Sequence, residues 1–197
     1  MKDMGLESYN RVEFPRFVHV AFHPEPKPQL ADLSERKARL KTLILGPYRS
    51  ATPEGSTICM SRLERLRTYL KSSGYTNAKL MKDFPDVPKF HQETATHFEV
   101  KSKQKILEWP TGLLFVFLRS CDISGVACEL TFVDDKKPDL LNSSAVLVEK
   151  SLNLSAMVKG PLVRHEIEVN NFETEADLNE FAVGACMKIL YRNYWQI

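Results

Sequence analysis

Residues 113–133 read LLFVFLRSCDISGVACELTFV: an apolar run, a polar turn, then a second apolar run interrupted by one carboxylate, Glu129. Asp122, Ser124 and Gly125 occupy the turn, and Glu129 follows Gly125 by four residues. A lone carboxyl just beyond a buried strand is either a plain charge on a helix flank or a site group held near a strand end. Asp122 divides the same way, because an Asp-x-Ser-Gly turn accounts for an Asp by its bond to the backbone two residues on. A second stretch, LGPYRS at 45–50, ends an earlier apolar run. Gly46 there would let the backbone approach a ligand closely, with Pro47, Tyr48 and Arg49 beside it. The Gly-Pro-aromatic sequence also serves as a simple strand stop, and Arg49 fits either a phosphate or a solvated loop.

Other chemistries find less support. The cysteines at 59, 121, 128 and 186 form no CxxC pair and have no His at zinc-ligand spacing, which points to buried, reduced thiols. His19 and His23 are four apart, but FVHVAFHP favours a strand and supplies no third ligand, so no metal is expected. Neither GxxxxGK[ST] nor GxGxxG is present, which argues against P-loop and ordinary Rossmann enzymes. A net charge of +2, from 27 basic and 25 acidic residues, is too near neutral to suggest nucleic acid or an anionic membrane. No apolar stretch reaches the roughly 18–20 residues of a membrane-spanning helix. MKDMGLESYN has no signal-peptide apolar region, so a cytoplasmic protein is expected.

The elements that must position these residues follow from periodicity. The 197 residues, 43% of them hydrophobic, suit one domain with a full-sized core over 42–197, preceded by an arm and helix over 1–40. In that arm Leu30, Leu33 and Leu40 mark an amphipathic helix over 30–41 after the Pro-rich HPEPKPQ. Strands are expected at 42–48, 77–84, 112–118, 144–150 and 162–169. Helices are expected at 61–73, capped by Ser61 and Glu64, at 92–108, at 125–133, and at 174–194 with Thr174 and Asp177 as its start signal. Such alternation predicts an α/β fold: a mainly parallel five-stranded sheet with helices on both faces. In such sheets ligands sit beyond the carboxyl ends of the strands at a switch in strand order. The loops at 46–60, 83–92 and 119–128 are therefore the places to search.

LILGPYRS together with D-x-S-G-V-A-C-E-L resembles the nucleoside 2-deoxyribosyltransferase family, over about residues 42–150. The wider group of such folds includes the Toll/interleukin-receptor (TIR) domains. The resemblance implies that Glu129 is a nucleophile attacking the anomeric carbon of a nucleoside or nucleotide. The base would leave through an oxocarbenium-like transition state and a glycosyl-enzyme ester would form, carboxylate chemistry that requires an ionised group. It further implies that Gly46, Pro47, Tyr48, Arg49, Asp122, Ser124 and Gly125 shape the substrate pocket, with no cofactor. A place in the first turn of its helix would favour the Glu129 anion by about 0.3–1 kcal/mol. Two departures stand out. Leu43 occupies the position where the family has a Tyr that holds the nucleophile. The family's Asp near the start of the second helix has no clean counterpart among His97, Glu99 and Ser102.

These departures leave two functions open. One is cleavage or transfer at an N-glycosidic bond, or a binding-only relative of such an enzyme. The other is a non-catalytic TIR-like module for nucleotide sensing or protein interaction. The C-terminal YRNYWQI places Tyr191, Tyr194 and Trp195 either in packing on their own sheet or in an interface, and a homodimer is expected.

Overall fold

The computed structural model describes residues 30–48, 52–88 and 95–195. Five parallel strands make one sheet: β1 (Thr42–Leu45), β2 (Lys79–Leu80), β3 (Gly112–Phe117), β4 (Ser144–Glu149) and β5 (Val169–Phe172). Their order is β2-β1-β3-β4-β5, so the chain starts at an interior strand, steps to the adjacent edge, then crosses back to build the other side. Among the described residues six α-helices accompany them: α1 (Leu30–Arg39), α2 (Pro53–Ser72), α3 (Ala95–Glu108), α4 (Ser124–Lys136), α5 (Ala156–Arg164) and α6 (Glu175–Trp195). The α/β class and parallel sheet read from the sequence are those observed.

Successive residues of a strand face opposite sides, and here both sides are covered. Leu43, Leu45, Leu113, Phe115, Phe117, Val146 and Val148 pack against Ile106 of α3, Val126, Leu130 and Val133 of α4, and Val158 and Leu162 of α5. Ile44, Leu114, Val116, Ala145 and Leu147 meet Cys59, Leu63, Leu66 and Leu70 of α2 and Leu178, Ala182 and Ile189 of α6. A strand buried on both faces must be apolar throughout, which is why GLLFVF stands out. Helix α1 rests on α6, its Leu33 packed against the core and Leu40, just past its end, fully buried. Helix α6 starts at a reciprocal cap, where the Asp177 amide donates to Thr174 Oγ1 at 3.1 Å and the Thr174 amide donates to Asp177 Oδ2 at 2.9 Å.

Several expected elements are corrected. Helix α2 begins eight residues before Ser61. Thr52 caps it, with Pro53 in the first turn and the Gly55 amide donating to Thr52 Oγ1 at 3.1 Å. Ser61 is interior and donates back to the Ile58 carbonyl at 3.0 Å, so it caps nothing. The strand expected at 77–84 is only Lys79–Leu80, followed by a 3₁₀ turn over Met81–Asp83. The fifth strand is Val169–Phe172, whereas 162–164 close helix α5. Val158, Pro161 and Leu162 recur at helical spacing and are buried, so tertiary packing overrides the break that Gly160-Pro161 suggests. The expectation of four reduced thiols also fails: Cys59 and Cys121 form a disulfide, their Cα atoms 6.2 Å apart. Cys128 and Cys186 are free. The arm over 1–29, with His19 and His23, lies outside the described residues. No helix among the described residues is long and apolar enough to cross a membrane.

Candidate functional site

Because β1 and β3 are neighbours whose connections leave in opposite directions, their carboxyl ends leave a crevice between the following loops. A cavity of about 590 Å³ opens there. The loop after β1 supplies Gly46, Pro47 and Tyr48. The turn after β3 and the exposed face of α4 supply Asp122, Ser124, Gly125, Cys128, Glu129, Phe132 and Asp135. Helix α3 closes the third side with Phe98, Glu99, Ser102, Lys103 and Ile106. Of the residues expected to form the nucleophile and the substrate pocket, all but Arg49 line this space, and Arg49 lies outside the described residues.

Glu129 owes its environment to helical phase. It lies three residues after Val126 and four before Val133, both buried against the sheet, so it borders the inward stripe of α4 as well as the cavity. Its Oε2 atom is closed to solvent and has no hydrogen-bond partner among the described residues. Burial pushes its carboxyl up to about 8, because the charged form loses water without gaining a donor or a cation. Glu129 is the sixth residue of α4, in the second turn. The stabilisation expected from the helix N-terminus falls off within the first turn, and burial dominates instead.

Tyr48 is its electrostatic neighbour. The phenol donates to the Ile44 carbonyl at 3.2 Å, and burial, followed by the Glu129 carboxyl, raises its pKa well above the ordinary tyrosine range. Leu43, where the resembled family has its orienting Tyr, is fully buried in the core and offers no polar group. The hydroxyl near Glu129 comes from the loop after β1 rather than from the strand. Asp122 Oδ1 accepts the Ser124 amide at 2.9 Å, which fixes the turn from which α4 departs. A Cβ at Gly125 would meet nothing within 4 Å, so that position opens directly onto the cavity. Gly46 differs: a Cβ there would come within 2.7 Å of Leu63 Cδ2. Its missing side chain therefore lets α2 close on β1, in addition to lining the cavity.

The turn at 119–123 is anchored on both sides. The Arg119 amide donates to Glu149 Oε2 at 2.7 Å, Arg62 joins Glu149 to Glu175, and the disulfide ties Cys121 to α2. Burial pushes the Glu149 carboxyl up, but the Arg119 amide and the Arg62 guanidinium outweigh it and hold it below its ordinary value. Helix α3 is the contribution that the sequence reading did not assign to the pocket. Phe98, Ser102 and Ile106 recur every four residues, a weak signal that acquires meaning only once α3 is known to cross beside the switch point. Glu99 and Ser102 reach the cavity, and Lys103 pairs with Glu99 and lies over the Phe132 ring. His97 is exposed and does not line it.

Strand order and crevice together define a doubly wound α/β protein of flavodoxin-like topology with a buried carboxyl at its switch point. No protein-family model matches the chain, and no curated protein matches it. Among solved structures, a CMP N-glycosidase of Clostridium botulinum, BcmB, is similar at a TM-score of 0.46 and 11% identity, over 72% of this chain and 97% of that one.

Proposed function

We propose that the cavity binds a nucleoside or nucleotide and that Glu129 cleaves or transfers its N-glycosidic bond as a carboxylate nucleophile. The observation that supports this most is the buried, unpartnered Glu129 Oε2 on the wall of a pocket large enough for such a ligand. A buried carboxyl oxygen without a donor is costly to the fold, and perturbed groups of this kind concentrate where ligands supply the missing partner. Attack at the anomeric carbon forms the Glu129–C1′ ester bond as the C1′–N bond breaks, and the departing base takes the bonding pair and a proton from water. Water or a second base then opens the ester. Among the described residues, Glu99, Asp122, Glu129 and Asp135 line the space against one amine, Lys103, already paired with Glu99.

Only the ionised carboxyl attacks. With the free group near 8, kcat/KM should rise with pH through 7 and level off above about 8, since that ratio reports the free enzyme. Incubation with nucleosides, nucleotides and NAD, following released base by chromatography from pH 6 to 9, tests both statements. Release that persists undiminished in Glu129→Ala removes the nucleophile. A second reading, binding without turnover, is favoured by the proton that Glu129 keeps at neutral pH, because a neutral carboxyl donates a hydrogen bond but does not attack. It is distinguished by a nucleoside that raises the melting temperature and is recovered uncleaved.

A further inference from the structure

Cys59 and Cys121 are 62 residues apart in sequence, and their bond ties the turn after β3, which leads into one wall of the cavity, to α2 on the far side of β1. Cys59 lies near the start of α2, the element that follows the Gly46–Tyr48 loop. Cys121 immediately precedes Asp122, and α4 begins three residues after it. The two residues are not equally open. Cys59 is completely buried, whereas Cys121 is only partly so and sits among the exposed residues Arg119, Ser120 and Asp122. The Cα separation of 6.2 Å lies within the range a disulfide spans without backbone movement.

We propose that the Cys59–Cys121 bond is a redox modification site whose partner is a dithiol reductant, and that it sets how firmly the wall formed by Asp122 and Gly125 is held. The proposal takes the cavity to be the functional pocket. A thiolate of the dithiol attacks the sulfur of Cys121, the less buried residue of the pair, the Cys59–Cys121 bond breaks, and Cys59 leaves as a thiolate that takes a proton. The second thiol of the reductant then attacks the mixed disulfide and releases Cys121 as a thiol. Two electrons and two protons pass to the protein, and the reductant ends as its own disulfide. After cleavage, the Arg119 amide still holds the beginning of the turn to Glu149. Residues 120–125 thereby lose a covalent link to α2, and the pocket wall loosens while the sheet stays intact.

Hydrogen exchange measures this without any pocket ligand, so its outcome is separate from that of the glycosidic reading. The full chain is oxidised with oxidised glutathione, and the Cys59–Cys121 peptide linkage is checked by mass spectrometry. Amide exchange is then compared before and after dithiothreitol, with the Cys59→Ser/Cys121→Ser double variant in parallel. Peptides covering 120–125 should exchange about tenfold faster after reduction, while those of β3 are unchanged. The double variant should exchange fast in that segment from the outset and ignore dithiothreitol. The proposal is overturned if the Cys59–Cys121 linkage does not form under oxidation, or if verified reduction leaves exchange at 120–125 unaltered.

Discussion

A carboxyl oxygen shut away from water and from every donor among the described residues is held with its proton, and holding it there has a thermodynamic consequence for Glu129. Its folded-state pKa of about 8 lies above the roughly 4.3 of an unfolded chain. Between those values the folded state binds the additional proton, so stability falls as pH rises and the loss is complete above about 8. Each pKa unit corresponds to about 1.4 kcal/mol, which makes the effect on the order of a few kcal/mol. Glu129→Gln keeps the shape and removes the titration. Its melting temperature should therefore gain on the native protein from pH 5 to pH 9, reaching several degrees at the alkaline end. A difference between the two proteins that stays constant over this range would mean that Glu129 is not buried as described. The same variant should release no base, so stability and activity move in opposite directions at one residue.

At the scale of the elements, two glycines of the same pocket make opposite demands. Gly46→Ala pushes a methyl against Leu63 and should destabilise by about 1–3 kcal/mol, as overpacking does. Gly125→Ala projects into open space from the first turn of α4 and should stabilise by roughly 0.5–1 kcal/mol, while narrowing the cavity. Urea unfolding of both variants checks the contrast, and equal effects would refute it. These positions also show which elements a sequence displays. The strands β1 and β3 were legible because burial on both faces demands an unbroken apolar run, and the two loops carrying Gly46 and Glu129 follow directly from them. The first turns of α2 were hidden in ATPEGST, whose signal is the Thr52 cap rather than periodicity. Edge strand β5 reads VNNF, only Phe172 being buried, so no apolar run marks it. Helix α3's part in the pocket, and the pairing of Cys59 with Cys121, depend on which crossovers become neighbours. Local patterns do not encode that.

For the molecule as a whole, a two-fold assembly is expected. Tyr191 and Tyr194 on the last turns of α6 are 48% and 40% exposed, and Arg36 of α1 lies 5.3 Å over the Tyr194 ring. Aromatic surface at the junction of two helices suits a buried interface, and two-fold pairing is the commonest closed arrangement. Light scattering should give a dimer mass for the intact chain and a monomer mass for a version ending at Tyr191. A monomeric mass for the intact protein at micromolar concentration would exclude the dimer.

The interior position of β1 has a consequence for the chain as it is being made. β1 leaves the ribosome early, but its partner β3 follows about seventy residues later, with Leu43 facing Leu113. Until Phe117 has emerged, this interior strand can pair on one side only, with the two residues of β2. Pairings this distant in sequence close slowly, and an apolar strand with an open edge is a template for other chains. The yield of native protein should therefore depend on how the nascent chain is shielded while β3 is still unmade, even where the finished fold is stable.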